Sequence, residues 1–160
     1  MTPNRLSPLL ALAVLAAIAS PASAQGNAPA GRLVGAWAVD AAVGPCGAPP
    51  VTFFSAYNTF HAGGTLSDFN WIPTAARSPG HGVWEHLGRN RFATRFQFFR
   101  YDQPPPATAT GRQDIRTVLT LDAGGNTYTA QINARATTLD GTPVGPPLCG
   151  EAAGTRITVD

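Results

Sequence analysis

The chain has 160 residues, with 11 basic and 9 acidic side chains and a formal charge of +2. That balance excludes the strongly basic surface that nucleic acid or an anionic membrane requires, and the length suits one domain rather than two. Every basic residue is arginine, a skew that reads as coding bias rather than as function.

The first segment stands apart. Arg5 supplies a positive start, Leu9 to Ala19 is an unbroken apolar run, and Ala22-Ser23-Ala24 is a small-residue cleavage site. This pattern predicts a secretory signal peptide over residues 1–24, because the run falls short of the roughly 20 residues that span a bilayer. Export to the periplasm or the extracellular medium follows, with no membrane anchor after cleavage. The remaining 136 of the 160 residues, 25–160, form a single β-barrel domain in this reading.

Eight strands are predicted in chain order: Leu33–Val39, Val51–Phe60, Thr65–Trp71, Val83–Leu87, Arg91–Tyr101, Arg112–Leu121, Thr127–Leu139 and Glu151–Val159. Between them, long links at 40–50, 72–82, 102–111 and 140–150 alternate with short ones at 61–64, 88–90 and 122–126. In an up-and-down antiparallel arrangement successive links fall at opposite ends. The fold class is therefore all-β, an eight-stranded antiparallel up-and-down β-barrel with tight turns at its floor and long loops at its mouth.

The faces follow from period-two alternation. In the fifth strand Phe92, Thr94, Phe96 and Phe98 share the inner face, with Arg91, Ala93, Arg95 and Gln97 outside. The sixth strand turns Ile115, Thr117, Leu119 and Leu121 inward, and the seventh Tyr128, Ala130, Ile132, Ala134 and Ala136. Bulky phenylalanines thus share the interior with alanines. Large side chains facing small ones can fill a barrel solidly, or the alanines can leave room for an apolar guest.

Cys46 and Cys149 are the only two cysteines. An oxidising compartment favours their pairing, and an even strand count puts both at the mouth end when the last strand closes against the first. The disulfide register then aligns Trp37 with residues near 158, bringing Arg156 within reach of the indole for a cation–π contact that closes the barrel.

Gly35-Ala36-Trp37 is a G-x-W motif on the first strand, and with Arg156 on the last it resembles the lipocalins and related calycin barrels. Thr59-Phe60-His61-Ala62-Gly63-Gly64-Thr65-Leu66 and His81-Gly82-Val83-Trp84-Glu85 resemble segments of small secreted lipocalin-like proteins of Gram-negative bacteria. The lipocalin T-D-Y motif is replaced by Leu121-Asp122-Ala123-Gly124-Gly125, and no helical pattern follows the eighth strand, departures that point toward shorter calycins such as avidin-like barrels. The resemblance implies fold and compartment and carries no particular activity.

Catalytic constellations are sparse. His61, His81 and His86 are scattered, adjacent Glu85 and His86 point to opposite faces of one strand, and no nucleophile elbow or phosphate loop occurs. No metal site, cofactor or catalytic residue is assigned. The polar residues best placed for a ligand are Arg100, above Phe96 and Phe98 at the mouth, and Gln113 on the neighbouring strand, with Ala134 opposite. The leading expectation is a barrel that binds a small apolar or amphipathic molecule. The alternatives are an interaction module whose mouth loops, with Pro104-Pro105-Pro106 and Pro146-Pro147, contact a protein partner, and a small cyclase or isomerase using Glu85 or Tyr57.

Overall fold

The computed structural model describes residues 29–72, 76–102 and 108–159. The leader predicted over residues 1–24 and the Pro104-Pro105-Pro106 run lie outside them. Eight antiparallel strands close into one barrel in sequential order. They are β1 (Gly35–Pro45), β2 (Thr52–Phe60), β3 (Thr65–Asn70), β4 (Gly80–Gly88), β5 (Arg91–Tyr101), β6 (Ala109–Leu121), β7 (Thr127–Thr137) and β8 (Pro143–Arg156). A one-turn 3₁₀ helix, Pro29–Leu33, precedes β1. The fold is therefore all-β and up-and-down, and is compatible with a calycin-like architecture.

Alternating large apolar and polar side chains make β5, β6 and β7 a continuous inner wall. Phe96 pairs with Ile115, Ile115 with Ala134 and Ala134 with Leu148, so one layer of the interior crosses four strands. The outer side of the same strands is mostly polar, with Phe99 and Val118 as exposed apolar exceptions. There Arg95 meets Asp114 at 2.5 Å, and Gln97 donates to the same carboxylate at 3.0 Å. Partial burial opposes ionisation of Asp114, yet these hydrogen bonds and the charges of Arg95 and Arg116 hold it below the usual carboxylate range.

Four strands are longer than their sequence suggests. β4 starts at Gly80 rather than Val83 and β6 at Ala109 rather than Arg112, and the other two, β1 and β8, change most. β1 continues past Val39 to Pro45, and β8 starts at Pro143 rather than Glu151. The long link expected at 140–150 is consequently a tight hairpin at 138–142. The β1 extension shares a ladder with residues 148–150 of the β8 extension, in which Gly44 pairs with Cys149 and Pro45 with Leu148. On the other side of β8 the register skips from Ala134↔Leu148 to Ala136↔Val144, so Gly145, Pro146 and Pro147 bulge out opposite Arg135. A bulge is where a sheet tolerates proline, and Gly145 takes the positive φ (70°) that the distortion needs.

The β1–β8 seam is fastened at both ends. At the mouth Cys46 and Cys149 form a disulfide across a sequence separation of 103. A loop of that length adds about 4–5 kcal/mol in the chain-entropy treatment. At the floor Arg156 lies over Trp37, with 4.3 Å from guanidinium carbon to ring centroid. It also donates to the carbonyls of Gly125 at 2.9 Å, Val34 at 2.8 Å and Arg32. Trp37 in turn donates its indole N–H to Leu33 at 3.0 Å.

Around this closure the lower half of the barrel is packed solid. Leu33, Trp37 and Phe92 are wholly inaccessible to solvent, and Leu119, Leu121, Phe60 and Tyr128 nearly so. The Trp37 and Tyr128 rings lie 5.0 Å apart, and Phe60 meets both Tyr128 and Trp84 edge-on. Each such side chain stabilises the fold by roughly 1.5–3 kcal/mol through burial. The upper half is not packed this way.

Candidate functional site

Above that core lies a cavity of about 250 Å³. Small side chains keep it open: Ala41, Ala56, Ala130, Ala134 and Ala152 line it from β1, β2, β7 and β8. It extends from Leu66 and Leu119 at its base to Thr52, Ile72 and Gln113 near the mouth. Thr52 is exposed, so the cavity reaches the rim.

One side of this apolar chamber is polar. β3 directs Leu66, Asp68 and Asn70 inward and leaves Phe69 and Trp71 outside. β2 matches it, with Asn58 facing the cavity and Tyr57 paired with Phe69 on the outer surface. The aromatics are excluded from the interior because the register is set by Phe60↔Leu66 at the hairpin, and a one-residue slip would expose both of those core side chains.

Asp68 anchors a chain of polar contacts. Its Oδ2 accepts from Arg77 Nη2 at 2.5 Å, and its Oδ1 accepts from Asn58 Nδ2 at 3.0 Å. The Tyr128 hydroxyl donates to Asn58 Oδ1 over a longer 3.4 Å. Asp68 and Arg77 are both well buried, at 5% and 6% exposure. Burial pushes the Tyr128 phenol far up from its ordinary value, and the negative charge of Asp68 pushes it further, so Tyr128 stays neutral. Among the described residues no fully buried side-chain polar atom lacks a hydrogen-bond partner.

Arg77 does not come from a barrel strand. Residues 76–78 of the β3–β4 connection pair with the end of β5: Tyr101 donates to the Ala76 carbonyl at 3.0 Å and Ser78 to the Phe99 carbonyl at 3.0 Å. Arg77 bridges Arg100 within this strap. The strap delivers the guanidinium into the cavity, where it stacks on the Phe98 ring at 3.6 Å and donates through Nε to Ser78 O at 2.9 Å.

Of the residues singled out for ligand contact, Phe96, Phe98, Gln113 and Ala134 line the cavity together. Arg100 does not line it; the cation there is Arg77. Glu85 and Tyr57, the acid and phenol considered for a cyclase, both face solvent on the outer wall. The carboxylate and phenol of the interior are Asp68 and Tyr128. Alternation in β3 could have revealed Asp68, since Leu66 and Asp68 share parity, but nothing in residues 73–79 signals that Arg77 turns inward. The histidines are dispersed: His61 contacts Ser67 Oγ at 3.1 Å, His86 contacts the Arg89 carbonyl at 2.8 Å, and His81 is exposed.

The geometry can hold a small guest between an apolar wall of β5–β8 and a polar wall of β2–β3. Compared with known proteins, the chain matches no family model and no curated sequence.

Proposed function

We propose that the protein is an exported, lipocalin-like barrel that binds a small, largely apolar molecule in the upper half of its interior. The observation that carries this reading is an apolar chamber of about 250 Å³ with a fully partnered polar network on one wall. Packing alone favours apolar side chains at such positions, and a buried ion pair adds little net stability over apolar replacements of similar volume. An apolar pocket with a few convergent polar groups is the usual form of a small-molecule site. The leader pattern and the disulfide support export.

A cyclase or isomerase role is favoured by one observation, the carboxylate and phenol inside the cavity. Against it, the Asp68 carboxylate is already engaged by Arg77 and Asn58, and burial holds the Tyr128 phenol neutral, so the phenol is not disposed to give up its proton near neutral pH. Binding without chemistry is the better account.

The test is mass spectrometry of small molecules released from natively purified, exported protein, compared with the variant Ala134→Phe. Phenylalanine at this position fills the chamber from β7. A compound recovered near one equivalent from the wild type and absent from the variant is the expected result. Identical extracts from both proteins would refute interior binding.

A further inference from the structure

Resting on the reading of the cavity as a binding site, we infer that its ligand is an uncharged molecule of about ten non-hydrogen atoms, with an apolar body and a single hydrogen-bonding head. The size follows from volume. An apolar cavity of about 150 Å³ accommodates benzene, with six such atoms, so about 250 Å³ takes about ten. A long fatty-acid chain does not fit within it.

The charge follows from the wall. Among the described residues Asp68 and Arg77 are the only charged ones lining the cavity, and they are joined at 2.5 Å. The guanidinium is thus already neutralised, and it is further engaged by the Phe98 face and the Ser78 carbonyl. A ligand carboxylate would meet Asp68 as well as Arg77, and an ammonium group would meet Arg77 as well as Asp68. Either ion would give up hydration worth several kcal/mol without an unmatched countercharge to replace it. A hydroxyl or carbonyl loses far less on entry and has Tyr128, Asn58, Asp68, Gln113 and the Thr94–Thr117 hydroxyl pair within the same chamber. The apolar body lies along Phe96, Ile115, Ile132 and Ala134.

The experiment is isothermal titration of the full exported protein at pH 7 with octan-1-ol, octanoate and octylammonium, which share a chain and differ in head charge. Octan-1-ol is expected to bind at least tenfold more tightly than either ion. Octanoate or octylammonium binding as tightly as the alcohol would overturn the inference. Dodecan-1-ol should gain less than tenfold over octan-1-ol, whereas four further methylenes buried inside would gain roughly two-hundredfold. A gain of that size would overturn the size limit. Asp68→Asn, which unpairs Arg77, is expected to reverse the ranking in favour of octanoate. The wild-type ranking decides the matter even if that variant is too unstable to purify. Binding of none of the ligands would remove the binding-cup reading itself, and this inference with it.

Discussion

Strands β5 and β3 obey opposite rules. In β5 the phenylalanines 92, 96 and 98 face inward, while Arg91, Arg95 and Gln97 face water. In β3 the inner face carries Asp68 and Asn70 above Leu66, while Phe69 and, just past the strand, Trp71 are left outside at 46% and 64% exposure. β2 follows β3, with Asn58 inside and Phe53 and Tyr57 outside. The regular strands bury the apolar area that drives folding. The inverted pair forgoes part of that area and receives in return a polar wall inside the cup. Local departures from an otherwise consistent pattern concentrate where a protein binds or reacts, and here they coincide with the cavity.

The contrast can be broken by substitution. Phe92→Ala empties a wholly buried position of the regular sector and should cost about 3–5 kcal/mol in denaturant melts. In the inverted sector, Asp68→Leu combined with Arg77→Met removes an ion pair rather than packing. Its stability should stay within about 1 kcal/mol of the wild type, or rise, while octan-1-ol affinity falls. A loss comparable with that of Phe92→Ala would make the pair a structural element and erase the distinction. The smallest effect belongs to the outer aromatics: Tyr57→Thr or Phe69→Thr should shift stability by less than about 1 kcal/mol, the scale of one cross-strand pair. A larger loss in thermal melts would show that the exposed face contributes to the fold.

The same contrast explains what could be read from the chain. The faces of β5, β6 and β7 were legible because their alternation is strong and uninterrupted, and the barrel follows from the number and order of such strands. The far ends of β1 and β8 were not. Ala41-Ala42-Val43-Gly44-Pro45 has a single strand-favouring side chain, Val43, and Pro143 to Pro147 reads as a loop. Ala41 to Pro45 becomes strand by pairing with Leu148 to Ala152 across more than a hundred residues, a tertiary effect that outweighs local preference, while Pro143 and Val144 pair with Thr137 and Ala136 of β7. Phe96, Phe98, Gln113 and Ala134 could be placed on the cavity wall by parity alone. Arg77 could not, because a strap that folds back over the mouth has no periodicity, and parity along β5 pointed to its backbone neighbour Arg100.

The seam between β1 and β8 has a mechanical consequence. It is the one junction in the barrel not joined by a hairpin, and Gly35 and Arg156 bring the two free strand ends together at the floor. A pull on those ends loads the Arg156–Trp37 closure first and then unzips the ladder one residue pair at a time toward the mouth. Unzipping stops at Cys46–Cys149, where force passes through a covalent bond and bypasses the chain between them. Under oxidising conditions, extension is therefore confined to the flanks outside the disulfide, which hold β1 and residues 150–156 of β8, and the chain from 47 to 148 is not drawn out end to end.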